Sequence, residues 1–520
     1  MMAHDVVVIG AGIAGLSAAA ALSRAGLSVT VLEAHVYPGG CAASFRYRGH
    51  WFDAGATLAA GFSTGGPMQL LGRAAGLHAW PVRPLEPAVV VAMDETLVVP
   101  RWSDERRWTT YGELFPRSLD FWRWQEATAA VLWDFALRLP ELRPRSWTTM
   151  QDLLQTLARW LRDRRPSPLL ALDLARPLAH HLPADSTFRR FVDAQLLIAA
   201  QALADTVYAL YGAAALDLPN RGVVEVAGGI GGIARTLVAA IEAHGGHVLF
   251  RQEVSHLERA RNGWRVQTNR GLELETSTVI ANVTPWALAR LWRNATPWFA
   301  RRLQRPPDGW GAFVLYLSLD DALVPRDCPS HVQVLGSGPL GEGRSVFLSL
   351  SPVWDSSRAP EGRRVATIST HTAYAHWWAI AQQGEQAYRE AVARYQERIL
   401  ETAARALPWL PSALRFALPG TPLAFARFVR RPFGWVGGFP QRHPFVGWPS
   451  ELAPGLWLCG DSVFPGQSIP ATALAGLRVA RFILRSRGSD LPLSDREPHL
   501  EATGSSPTLP RSVAHSKTPA

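Results

Sequence analysis

Gly10, Gly12 and Gly15 follow a continuous apolar run, Val6-Val7-Val8-Ile9, in the spacing G-x-G-x-x-G. Such a run suits a strand buried on both faces, and it stops where the glycines begin. The first glycine permits a tight turn, the second lets backbone approach a pyrophosphate, and the third lets a helix pack close to the strand. The N-terminus of that helix is an anion site. Ala18 to Ala25 are good helix formers ended at Gly26, and Leu27 to Leu32 make a second strand closed by Glu33. That carboxylate stands roughly 20 residues past the glycines, where it would grip a ribose hydroxyl. Strand, helix, strand and acid in this order predict a dinucleotide site. At this point NAD and FAD fit equally.

The elements that position such a site come from a chain of 520 residues, 48% of them apolar, which is long enough for two or three domains with one of them discontinuous. The net charge is +10, but the basic residues are arginines apart from Lys517 and form no compact lysine-rich block. A nucleic-acid partner is therefore not expected. Cys41, Cys328 and Cys459 are far apart and odd in number, which fits a reducing cytosol, and none has zinc-ligand spacing, so no metal site is expected. Met1 to Asp5 lacks a cationic signal region, and no uninterrupted apolar stretch of about 18 residues predicts a membrane span. The expected location is the cytoplasm, with peripheral contact on the inner face of a membrane left open.

Pro38-Gly39-Gly40 gives a second glycine pair, and Phe45 to Asp53 alternates aromatic and polar residues up to Asp53-Ala54-Gly55-Ala56-Thr57, a strand returning toward the nucleotide. The run PGGCAASF followed by RGHWFDAGAT resembles the amino-terminal signature of the flavoprotein superfamily that contains phytoene desaturases, carotenoid isomerases and amine oxidases. At the other end, Leu456 to Asp461 reads as an apolar strand ending in Gly-Asp, and SVFPGQSIPATALAGLRVARFIL enters a helix. In that superfamily the aspartate matching Asp461 binds the ribityl chain of FAD, and the next helix points its N-terminus at the pyrimidine edge of the flavin. A helix N-terminus there stabilises the negative charge a reduced flavin gathers. The resemblance implies FAD as the cofactor. The cofactor-binding residues it implies are Gly10, Gly12, Ala14, Gly15, Glu33, Gly39, Gly40, Val254 (through its backbone, to adenine), Gly460, Asp461 and Ile469.

The implied fold is α/β: a discontinuous Rossmann-like FAD-binding domain and an α+β substrate domain with a helical part able to touch a membrane. The FAD-binding parts are expected at 1–76, 218–285 and 440–485, the substrate parts at 77–217 and 286–439, and a disordered tail at 486–520. Gly229, Gly231 and Ala234 offer a second dinucleotide fingerprint before a helix, Ala234 to Ala243, and a strand, His247 to Gln252. Beyond it, Asn262-Gly263 and Asn269-Arg270-Gly271 mark tight turns of a meander, so a second nucleotide is not expected there.

In the substrate region Thr149 can cap a helix, with Asp152 three residues on. Leu153, Leu154, Leu157, Trp160 and Leu161 then form a stripe opposite Arg159, Arg162, Asp163, Arg164 and Arg165, ended by Pro166. Packing on the core is the first expectation; dipping into lipid, with Trp and Arg at headgroup level, is the alternative. His180 and His181 are adjacent and cannot form an i, i+4 metal pair, while His371 and His376 flank a strand end and are expected to pack. Gly437-Gly438, in RFVRRPFGWVGGFP, either lets backbone approach the flavin face or serves a turn.

A flavin accepts hydride at N5 without a side-chain nucleophile, so no catalytic residue is assigned. The activity the resemblance implies is desaturation or cis-trans isomerisation of a carotenoid or related isoprenoid polyene held in a long apolar channel. Two alternatives stand beside it. A flavin amine oxidase acting on a small amine wants a lysine near N5, and Lys517 falls in the expected tail. The other is a non-catalytic flavin- or carotenoid-binding protein. The oligomeric state is left open.

Overall fold

The computed structural model describes residues 4–93, 97–304 and 309–502. The first strand, β1 (His4–Ile9), lies between β2 (Val29–Leu32) and the long strand Glu273–Ala281, parallel to both. Val6, Val7 and Val8 are fully buried, which is why the run carries no polar alternation. His247–Leu249 extends this sheet beyond β2, and Leu456–Leu458 runs parallel to the end of Glu273–Ala281. Three remote stretches of chain thus build one sheet. The predicted meander is present: Val254–Ala260, Gly263–Thr268 and Glu273–Ala281 pair antiparallel in sequence order.

Helix α1 (Ile13–Arg24) packs against the long C-terminal helix Ile469–Ser486, both largely buried. Small residues set their spacing, since a Cβ at Gly476 would collide with the Ala14 carbonyl. A second, seven-stranded sheet holds the strands 414–420, 311–320, 363–372, 345–350, 331–335, 89–92 and 98–101, in that spatial order. Its 89–92 and 98–101 strands pack on the helices of residues 106–216.

Two expectations need correction. The helix in the substrate region runs Trp147–Arg164, and its cap is Ser146, whose Oγ accepts the Thr149 N–H at 3.3 Å; Thr149 is three residues inside. Its buried face is Thr149, Asp152 and Thr156 instead of the leucine stripe. Asp152 is held by Arg481 and Arg485 of the C-terminal helix, each at 2.7 Å. Of the stripe, Trp160 packs on Phe135 at 5.0 Å between ring centroids, while Leu154 and Leu161 are exposed.

The second correction concerns the tail. Residues up to 502 pack on the body: Arg24 donates to the Pro492 carbonyl at 2.7 Å, and His499–Leu500 pairs parallel with Ala79–Trp80. Backbone groups and arginines make these contacts, so they leave no periodic pattern to read. The rest of the expected tail, 503–520, lies outside the described residues. No helix among the described residues is long and apolar enough to cross a membrane.

Candidate functional site

A single cavity of about 1630 Å³ runs from the glycine turn after β1 to the inner face of the second sheet. It exceeds the roughly 300–1,000 Å³ of a site for one drug-sized ligand. Gly10, Gly12, Ala14, Glu33, Gly39, Gly40, Val254, Gly460, Asp461 and Ile469 all line it. Gly15 does not. A Cβ there would lie 2.6 Å from the Gly10 carbonyl, so this glycine is a packing position one layer beneath the wall.

The wall is assembled as follows. Gly10 has φ +94°, which turns the chain out of β1. Gly12 pairs with Gly39 through an isolated bridge, and the Gly39 N–H reaches the Ala11 carbonyl at 2.8 Å. The two glycine segments therefore face each other across the N-terminus of α1, which has no side-chain cap. The N-terminus of the helix Ile469–Ser486 opens onto the same cavity through Ser468, Ile469, Pro470 and Thr472. Two positive helix ends on one cavity make a site for an extended, anionic ligand.

Glu33 accepts the Ala11 N–H and the His35 N–H, each at 2.7 Å. Burial pushes its carboxyl up from the ordinary range, opposed by these donors and by Arg430. Asp461 is paired with Arg431 at 3.0 Å, and Arg431 also donates to the carbonyls of Trp435, at 2.8 Å, and Gly437, at 3.1 Å. Cys41 lies against the same guanidinium, and burial pushes its thiol up.

Three residues of consequence were not singled out from sequence. Asn282, at the end of Glu273–Ala281, donates its N–H to the Ile9 carbonyl at 2.9 Å and its side-chain amide to the Gly10 carbonyl at 3.2 Å. A Cβ on Gly12 or on Gly460 would come within 2.5 or 3.3 Å of that same side chain. Asn282 is thus the joint between both glycine turns. Arg431 stood in the quoted RRPFGWVGG segment, where only the glycines were weighed. Gln201, whose side-chain amide lies 3.2 Å from His371 Nε2 at the cavity wall, carried no signal at all.

The second glycine fingerprint is consumed internally. The Ile230 N–H bonds Asp53 at 2.9 Å, the Gly231 N–H bonds Ser44 at 2.9 Å, and the Gly228 N–H bonds Asp355 at 2.7 Å. Protein oxygens hold the donors a phosphate would need. His181 bonds Asp173 at 2.9 Å and stacks on Trp124, and no cluster of metal-ligating side chains occurs among the described residues. His371 packs edge-on against Trp310, at 6.2 Å between ring centroids, and also lines the cavity, whereas His376 is exposed just past the strand Arg363–Thr372, where the helix after it turns the side chain outward.

Away from the nucleotide half, the walls are mostly apolar, with Val89, Leu197, Ile198, Leu216, Val346 and Phe347 among them beside the polar Gln195, Gln333, Ser345 and Thr370. The lining carboxylates Glu33, Glu253 and Asp461 are each engaged, Glu253 by Arg430 at 3.1 Å.

The comparisons agree with this geometry. Residues 13–484 match the model of the family described as flavin containing amine oxidoreductase. The chain is 27% identical over 524 residues to prolycopene isomerase 1, chloroplastic, of an Oncidium hybrid cultivar, covering 96% of this chain and 86% of that one. It is 24% identical to the neurosporene-forming phytoene desaturase of Rhodobacter capsulatus, covering 92% and 93%. Among solved structures, cyclohexylamine oxidase from Brevibacterium oxydans superposes with a TM-score of 0.57 at 15% identity, over 94% of this chain and 100% of that one.

Burial also fixes a pH dependence. It lowers the His331 and His371 rings from 6.5 to about 4 each. The unfolded chain takes up these protons near 6.5 and the native chain only near 4, so acid favours unfolding across that window. The thermal midpoint is expected to fall between those two pH values, and in the double variant His331→Gln, His371→Gln the slope should flatten. An unchanged slope would place both rings in water.

Proposed function

The chain belongs to the flavin containing amine oxidoreductase family and is an FAD-dependent oxidoreductase, and from that premise we propose that it acts on a carotenoid or related polyene, by cis-trans isomerisation or desaturation. The residues suit the cofactor. Glu33 lies at the end of β2, placed to hold the adenosine ribose. In this reading the two helix N-termini and the Gly12, Gly39 and Gly40 backbones would hold the pyrophosphate and the flavin's electron-rich edge. In this reading Asp461, oriented by Arg431, would hold the ribityl hydroxyls, and the Val254 backbone would hold adenine. We assign the segments 1–76, 218–285 and 440–485 to this cofactor unit and 77–217 and 286–439 to the substrate unit. When bound, FAD supplies a ring that accepts or returns a hydride at N5. The protein's own part is to exclude water and to fix one carbon–carbon bond of the substrate beside that ring.

The observation that carries the polyene reading is the composition of the remaining cavity. Its walls are mostly apolar, its polar side chains there are uncharged amides and hydroxyls such as Gln195, Gln333, Ser345 and Thr370, and each carboxylate that lines the cavity is already bonded within the nucleotide half. A cationic amine would find no free counter-charge among the lining residues. The names of the relatives, a carotene isomerase and a phytoene desaturase, point the same way. Anaerobic incubation of the flavin-loaded protein with a poly-cis carotenoid is expected to give either a geometric isomer of unchanged mass or a product lighter by one H₂ with bleached flavin. A polyene left unaltered, with flavin bleached by a small amine, would overturn the proposal.

A substrate of this kind dissolves in lipid, and we place the membrane contact on the helix Trp147–Arg164 and the segment after it. Trp147, Leu154, Leu161, Leu169 and Leu172 are exposed there, at 72, 54, 47, 68 and 48%. Arg159, Arg162 and Arg165 flank them, an apolar face rimmed by cations of the type that enters a lipid interface. Replacing Trp147, Leu154, Leu161 and Leu169 by Ser should lower liposome binding at least about tenfold by burial alone. Binding unchanged by these substitutions would contradict the placement.

A further inference from the structure

We infer that Arg143 and Arg302, with Arg145 beside them, form a site for the phosphate of an anionic phospholipid headgroup, next to the exposed face of the helix Trp147–Arg164. The inference rests on the membrane contact placed on that helix and adds the chemistry of the lipid it meets.

The site is built on a shared acceptor. The Gly447 carbonyl accepts from Arg143 at 3.1 Å and from Arg302 at 3.0 Å, so the two guanidiniums stand side by side. The same two nitrogens also donate to the Phe445 and Val446 carbonyls. One nitrogen of each guanidinium therefore makes all of its protein hydrogen bonds, although an arginine carries five N–H donors. Arg302 Nε is enclosed, but Arg143 Nε and Nη2 and Arg302 Nη1 are open to solvent and take no protein acceptor among the described residues.

Aromatic rings hold the cations in place. Arg145 lies over the Trp298 ring at 3.7 Å, Arg302 lies over Trp448 at 4.8 Å, and the two indoles meet edge to face at 5.8 Å.

No carboxylate balances this cluster among the described residues. Glu141, two residues before Arg143, is 2% exposed and turned inward: it accepts the Arg143 and Ser450 backbone N–H groups at 2.9 and 3.2 Å and lies 3.5 Å from Arg478. Burial and the neighbouring Arg143 charge push Arg302 down to about 10. Two like charges held together without a counter-ion favour an anion between them, and the planar guanidinium fork matches phosphate oxygens.

The surroundings select a lipid over a soluble anion. Trp147, two residues past Arg145, is 72% exposed, and Phe445, whose carbonyl Arg143 holds, is 59% exposed. Large rings left in water beside a phosphate site suit a headgroup that carries acyl chains, because Trp and Arg share the depth at which a bilayer presents both. A free phosphate would gain nothing from them.

The test uses the flavin-loaded full chain and co-sedimentation with two kinds of vesicle, phosphatidylcholine alone and phosphatidylcholine mixed with phosphatidylglycerol. Wild type is expected to bind the mixed vesicles more tightly, and Arg143→Gln, Arg302→Gln should weaken that binding about 25-fold, on the order of fivefold for each arginine. Arg145→Gln removes a guanidinium that rests on a ring and holds no backbone carbonyl, so it covers the case in which the double variant fails to fold; about a fivefold loss is expected. The charge-matched variant Arg394→Gln, Arg405→Gln, on the helix Glu385–Ala404 and at its end, should change little because salt screens distant charge. Equal binding of the two vesicles by wild type, or an equal loss in the charge-matched variant, would overturn the inference while leaving the membrane placement intact. Displacement of the protein from mixed vesicles by inorganic phosphate at matched ionic strength would also overturn it, by making the ligand a free anion. Binding to neither vesicle would overturn both the site and the placement, whereas the polyene reading is decided separately by product mass.

Discussion

The side chain of Asn282 is the point on which the architecture turns. Its backbone N–H continues the pairing of Glu273–Ala281 with β1, and its amide lies between the glycine turn that opens the chain and the Gly460 turn near its end. Neither turn would be in place without the other strand beside it: β1 and Leu456–Leu458 both pair with Glu273–Ala281, one on each side. Small residues at Gly10, Gly12, Gly15 and Gly476 then let α1 and the C-terminal helix close on this joint, because a Cβ at any of them would meet backbone or the Asn282 amide. Close packing on this hydrogen-bonded joint brings the two helix ends to one cavity.

Charge does related work farther out. Arg478 and Arg481 are buried cations on the C-terminal helix, and each has a carboxylate within reach, Glu141 at 3.5 Å and Asp152 at 2.7 Å. Removing one member of such a pair strands the other, so these contacts fix the helical part of the substrate region to the helix whose N-terminus faces the cavity. Because Asp152, Thr149 and Thr156 face inward, the apolar residues of Trp147–Arg164 are left outside. One arrangement thus accounts for both the anchoring of this helix and its exposed face.

How much of this was legible in the sequence depends on range. The β1 turn, α1, β2 and Glu33 could be read because each signal is local: a buried strand needs an apolar run, and a turn at φ +94° needs glycine. The meander was legible for the same reason, through its turns at Asn262-Gly263 and Asn269-Arg270-Gly271. The cofactor residues near Asp461 came from resemblance alone, since nothing local says that Leu456–Leu458 joins the first sheet. Asn282, Arg431 and Gln201 stayed hidden because each acts between segments that meet only in three dimensions. The helix Trp147–Arg164 was placed well but faced wrongly, because hydrophobic periodicity assumes that the apolar side is the buried one, and here an ion pair decided otherwise.

The central claim is that both ends of the chain hold one FAD. Hydrogen exchange on the deflavinated chain, titrated with FAD and resolved by peptide, tests it most directly. The account predicts that the amides of Gly10–Ala14 and those of Ile469–Thr472 gain protection together, with a single midpoint in FAD. Protection of one segment without the other, or two separate midpoints, would contradict it.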